Sequence, residues 1–215
     1  MYVAGRKHYV FSKPSEYAAV YRNSKTLSIG NFVKLLMIKW LGYTENMAER
    51  YKELKGDWDE LHTNLLLREE NNRPTAIKYF ALLENELRAL DAELEKSNTK
   101  ALTKDGRKIV MDVQGVASTL AYFGKKPFEV NPNILEDLVT FNRDGFWPLL
   151  LSAPRFLYPK PYRAKDRLLA AFQGLSDTID AQDDVSDFIR SRHKLVAEKM
   201  DENTQGPDKF NIFFG

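Results

Sequence analysis

Residues 112–172, DVQGVASTLAYFGKKPFEVNPNILEDLVTFNRDGFWPLLLSAPRFLYPKPYRAKDRLLAAF, decide the fold class of this chain. Their apolar positions recur at helical spacing in three blocks separated by glycine and proline. Val113, Val116, Ala117, Leu120 and Ala121 share one face of a first helix, with Asp112 as its predicted cap. Gly124 is placed to end that helix in a left-handed conformation, and Pro127 to stop it restarting. A second helix is predicted from Asn131 as cap and Pro132 at the first helical position, with Ile134, Leu135, Leu138, Val139 and Phe141 facing inward. The third is expected after PRFLYPKPYRAKD, through Leu168, Leu169, Ala171 and Phe172. The stretch reads as mainly α scaffold.

Outward from it, the same reading gives a helical chain with one exception. Tyr2-Val3 and His8-Tyr9-Val10-Phe11 flank Ala4-Gly5-Arg6-Lys7 as a small N-terminal β hairpin. Ser12–Glu16 starts a helix holding Tyr17, Ala18, Val20 and Tyr21. Residues 29–41 form an apolar segment relieved by Lys34 and Lys39 and closed by Gly42. That segment suits a core helix, a pocket wall or a surface-lying membrane contact. Residues 43–72 are polar and punctuated, as short helices and loops are. Pro74 opens the predicted long helix, to about Lys96, with Phe80, Leu83, Leu87, Leu90 and Leu94 as a heptad stripe for a neighbouring helix. Asp183 or Asp184 is placed to cap a last helix carrying Val185, Phe188, Ile189, Leu195 and Val196. On it Arg190, Arg192, His193 and Lys194 read as a solvated basic face.

Composition narrows the chemistry. The 215 residues carry 32 Lys+Arg against 30 Asp+Glu, a balance that gives no reason to expect a nucleic-acid partner. Cys 0 removes disulfides, thiolate nucleophiles and cysteine-held metals from these residues. No apolar run approaches the roughly 20 residues of a transmembrane span. His8, His62 and His193 lie far apart in sequence, and no metal-ligand spacing joins them. There is no phosphate-binding glycine loop and no nucleophile elbow. Asp177, Asp180, Asp183, Asp184 and Asp187 read as capping and solvated charge. Residue types and spacing assign no catalytic residue and no metal ligand.

Two blocks resemble a known family. Residues 3–33, VAGRKHYVFSKPSEYAAVYRNSKTLSIGNFV, are similar to the early hairpin, helix and substrate-facing loop of microsomal cytochromes P450. The likeness is to fungal members akin to sterol hydroxylases and prostacyclin synthase. Residues 110–172 resemble the middle of the same family through Phe123-Gly124, Phe146-Trp147, Pro154-Arg155 and Tyr162-Arg163-Ala164-Lys165-Asp166. The resemblance implies an incomplete, mainly α P450-like helical scaffold. It forms a single partial domain over 1–215: hairpin and first helix 1–28, substrate-facing loop region 29–72, helical middle 73–200, tail 201–215. It implies haem in intact relatives, a lipophilic substrate, a reductase partner and an intracellular, endoplasmic-reticulum-associated setting. Phe32, Leu36, Met37 and Trp40 are the substrate-contacting candidates. The family's anchor helix would precede Met1, and its acid-Thr helix, Glu-x-x-Arg pair and cysteine ligand would follow Gly215. Glu70-Asn71-Asn72-Arg73 spells Glu-x-x-Arg outside the matching context. The expectation is a truncated haem-thiolate monooxygenase, inactive alone; the alternative is a non-catalytic helical interaction protein.

Overall fold

The computed structural model describes residues 2–3, 6–7, 12–23, 30–97, 101 and 103–199. At the start, Tyr2–Val3 (β1) pairs antiparallel with Arg6–Lys7 (β2), Tyr2 opposite Lys7 and Val3 opposite Arg6. Arg6 and Lys7, expected in the turn, stand in the second strand; the expected arm His8–Phe11 lies outside the described residues. Two residue pairs cannot order a fold by themselves. Helices do that here.

Helix α1, Pro14–Arg22, begins with proline at a position that needs no amide hydrogen, and the Glu16 carboxylate accepts from the Ser12 and Lys13 amides. Helix α2, Gly30–Leu35, runs into a wider π turn, Leu36–Leu41, closed by Gly42 at φ 89°. Two short helices follow, α3 (Glu45–Glu53) and α4 (Lys55–His62), and a second π turn, Thr63–Leu67. Helix α5 spans Glu69–Lys96, so it starts ahead of Pro74 rather than at it. The early start has local causes. Arg68 is extended, and the Asn71 and Asn72 side-chain amides donate to the carbonyls of Asn64 and Leu66, satisfying the end of the π turn.

The central stretch departs from its sequence reading at the helix ends. Helix α6, Gly106–Val110, continues through a π turn, Met111–Gly115, into α7, Val116–Phe123. Asp105, not Asp112, caps it, accepting from the Arg107 and Lys108 amides at 2.8 and 3.2 Å. Asp112 is an exposed helix residue, 3.7 Å from Lys108. Pro127 does not prevent a restart. It sits in the first turn of α8, Lys126–Val130, where its missing amide hydrogen costs nothing. Helix α9, Ile134–Arg143, is entered through Asn133; the buried Asn131 stands just ahead of it, its Oδ1 accepting from the Asn133 amide at 3.2 Å and its Nδ2 donating to Asp137. After α10, Phe146–Leu150, helix α11 runs from Pro159 to Ser176, so the PKPYRAKD segment is helix and not its approach. A 3₁₀ turn, Ile179–Ala181, leads to α12, Asp187–Lys199. Neither Asp183 nor Asp184 caps α12. Ser186 takes that place, its hydroxyl oxygen accepting from the Ile189 amide at 3.4 Å.

Helices α9 and α11 form the centre. Ile134, Phe141, Leu149, Leu168, Phe172, Leu175 and Ile189 belong to the larger buried cluster. A smaller one joins Met37, Tyr43, Ala48, Leu54, Trp58 and Val196, and Leu41 packs against both. The basic run on α12 is split between them. Arg190 donates to the Ile179 carbonyl at 3.0 Å, and Arg192 is buried with its guanidinium 5.1 Å from the Trp58 ring centre. Only Lys194 keeps the solvated role expected of the whole cluster, beside Glu198 at 3.7 Å. The heptad stripe of α5 is poorly covered: no residue of the helix is buried, and Phe80 is 63% exposed. No helix among the described residues is long and apolar enough to cross a membrane.

Candidate functional site

The apolar segment 30–41 is the natural place to start, because it holds all four substrate-contacting candidates. Its π turn adds nearly one residue per turn to the α repeat, so residues that would share one face diverge. Phe32, before the turn, is 46% exposed. Leu36 is half-buried. Met37 turns into the small cluster beside Tyr43 and Trp58. Trp40 turns the other way, stacking on Phe141 with ring centres 5.0 Å apart and planes 4° from parallel. Phe146 meets the same indole edge-on at 5.5 Å. The segment therefore bridges two cores, and the four candidates do not line one face.

Around Trp40 the surroundings come from far along the chain. The Lys165 ammonium on α11 donates to the Trp40 carbonyl at 2.9 Å, closing an open end of the π turn. A water-sized void of about 10 Å³ lies among Leu41, Phe141, Lys165, Leu168 and Leu169. Burial pushes the Lys165 amine down to about 8; neighbouring Asp166 favours the charged form, and Arg155 opposes it. The Trp40 Nε1 is buried with no hydrogen-bond partner. Sequence reading missed Lys165 as a site residue, since its partner is a backbone carbonyl 125 positions away, which no local pattern announces.

Two further polar clusters hold the scaffold. Asp137 is buried, receiving the Arg167 guanidinium through Nε at 2.8 Å and through Nη2, and the Asn131 amide at 2.8 Å. Burial alone would raise its carboxyl, but hydrogen bonds from Arg167 and Asn131 together hold it below the usual range. Asp184 clasps the end of α7. Its Oδ2 accepts from the Lys125 amide at 2.8 Å, and its carbonyl accepts from Lys78 on α5. Gly124 sits directly beneath that carboxylate at φ 70°.

Among the described residues, no side chain is placed as the axial thiolate of a haem. There is no cysteine. His62 points its Nδ1 at the Trp58 carbonyl, 2.7 Å away, with its ring edge-on to Phe188. His8 lies outside the described residues, and no three His, Asp or Glu side chains converge on a metal-sized site among the described ones. Glu70 and Arg73 are both exposed on the first turns of α5. The motif residues of the middle block instead grip one another: Arg155 pairs with Asp166 through both terminal nitrogens at 3.1 and 3.2 Å, and lies 5.2 Å from the Tyr162 ring centre. The Tyr162 hydroxyl donates to the Ala153 carbonyl at 2.5 Å. Chemically, the arrangement orders walls and presents apolar surface.

No family model matches the sequence, and no solved structure matches it. Among curated proteins, the chain is similar to the cytochrome P450 monooxygenase poxD of Penicillium oxalicum, 37% identical over 213 residues. The likeness covers 99% of this chain and 44% of that protein, so the chain spans less than half the length of its relative.

Proposed function

We propose that these residues are part of a haem-thiolate monooxygenase of the cytochrome P450 family, akin to sterol hydroxylases and prostacyclin synthase. They supply helical walls and a substrate-facing segment. The observation that carries this reading is a likeness to poxD along nearly the whole chain. The interlocking of Arg155, Tyr162 and Asp166 supports it, because those residues belong to the motifs that first suggested the family. In that family a cysteine thiolate pushes electron density onto haem iron to favour O–O cleavage. These 215 residues hold no such ligand, and on this reading they are inactive alone.

The chain is one partial domain in this view, with 1–28, 29–72, 73–200 and 201–215 as its successive parts. Trp40 and Phe32 are the groups best placed to meet a lipophilic substrate, Trp40 through the aromatic cluster it shares with Phe146, and Phe32 through its exposure. Electrons would reach the full assembly from a reductase. Titration with haemin tests the reading. The expected result is no carbon-monoxide difference spectrum of a thiolate-bound haem, together with quenching of tryptophan fluorescence by a lipophilic probe that Trp40→Ala and Phe32→Ala weaken. Oxygen insertion into an organic substrate by this chain unaided would refute it. A second reading, a helical interaction protein, is favoured by one observation: α5 is 28 residues long and buries none of them.

A further inference from the structure

We infer that Lys165 is a site of covalent acylation, taking a two-carbon acyl group from a thioester onto its Nζ. The amine stands where such a group fits. It donates to the Trp40 carbonyl at 2.9 Å, and it lines the void of about 10 Å³ together with Leu41, Phe141, Leu168 and Leu169. That space holds one water or one methyl group. A buried water needs about two to four polar partners, and every lining side chain but Lys165 is apolar, so a methyl suits the void better. Lys165 is half-buried, which leaves the acyl oxygen a path to solvent.

Loss of charge is favoured at the same atom. The carboxylate beside this amine is Asp166, and Arg155 already grips it through both terminal nitrogens at 3.1 and 3.2 Å. Burial brings the amine down to about 8, with Asp166 opposing that fall and Arg155 adding to it. Near pH 7.5 about a quarter of it is therefore uncharged, against about a thousandth of an ordinary lysine, a gain of roughly two hundredfold in nucleophile. Lower basicity takes back about tenfold, on the slope that thiols follow. Half-burial takes back a little more. In the reaction the nitrogen lone pair attacks the thioester carbonyl carbon, a C–N bond forms and the C–S bond breaks. The thiolate leaves with its electron pair, and the nitrogen releases one proton to water. The amide product is neutral yet keeps one N–H, so the Trp40 carbonyl and the π turn behind it retain their donor. A neutral imine, the product of an aldehyde, has no N–H to give, which is why acyl transfer fits this amine better.

Limited labelling of the whole chain with S-acetyl-N-acetylcysteamine, read by peptide mass spectrometry, tests this. At about pH 7.5, Lys165 should acetylate about tenfold faster than the exposed Lys55, Lys108 and Lys194. Its rate should level off above about pH 8, while that of a lysine model peptide in the same tube keeps rising. Chain acetylated at Lys165 should keep its urea midpoint at pH 7, because the donor to Trp40 survives. Labelling of Lys165 no faster than that of the three exposed lysines overturns the inference. So does a rate that climbs alongside the peptide's, or a midpoint that falls on acetylation.

Discussion

Replacing Gly124 with alanine should destabilise this protein more than any other single methyl addition at a glycine not already closed in by backbone. The position has φ 70° and ψ −164°, a region that essentially only glycine occupies. Forcing a side chain there costs roughly 1–3 kcal/mol. A Cβ would also stand 2.3 Å from Asp184 Oδ1 and 2.6 Å from its Cγ, so the carboxylate must leave. In leaving, it gives up the Lys125 amide, a charge-assisted bond at 2.8 Å that is partly exposed and worth about 1 kcal/mol. The sum is about 3 kcal/mol, which for a chain of this size lowers the melting midpoint by roughly 6–12 °C. Urea unfolding followed by tryptophan fluorescence measures it. Gly56→Ala is the control, because nothing lies within 4 Å of its added methyl and α4 gains helix propensity there; it should be neutral or stabilising by up to about 1 kcal/mol. Asp184→Ala in the Gly124→Ala background should recover the collision but not the backbone strain, leaving a coupling between the two sites. A loss below about 1 kcal/mol for Gly124→Ala would refute the reasoning, since backbone strain alone should exceed it.

Other expectations follow from the same contacts. Lys165 has its amine lowered to about 8 from an ordinary 10.5, so between those values the unfolded chain holds a proton that the folded chain has released. Stability should therefore rise with pH across that window by up to about 3 kcal/mol, and Lys165→Met should flatten the rise in a pH series of urea midpoints. Asp137 shifts the opposite way: its support is full above the ordinary carboxylate range and is lost as pH falls through its lowered folded value. Asp137→Ala should cost about 2–3 kcal/mol at pH 7, because the buried Asn131 amide loses its acceptor while Arg167, half exposed, returns to water. Trp40→Ala should cost about 2–3 kcal/mol through lost stacking on Phe141, whereas Trp40→Phe should cost under about 1 kcal/mol, since the indole N–H has no partner to lose.

Sequence alone determined the helical class and most inward faces. Val113, Ala117 and Ala121, then Ile134 and Phe141, then Leu168, Ala171 and Phe172 are buried where the periodicity places them. That signal is local, because a residue's facing depends on neighbours three and four positions away. It also marked Gly124 as the end of α7. It did not fix the helix ends, where an asparagine, an aspartate and two prolines each offered more than one use. Asp184 became a clasp on Lys125 because a partner 59 residues away outcompeted local capping, and Asn131 joined two uses, its Oδ1 accepting from the Asn133 amide while its Nδ2 donates to Asp137. Nor did it separate Met37 from Trp40, whose divergence depends on a π turn held by Lys165 from α11. Which polar group meets which, and therefore which lysine loses basicity and which glycine admits no side chain, was decided only when α9, α11 and α12 packed together. Burial and distance, the quantities that set those energies, have no counterpart in a linear pattern.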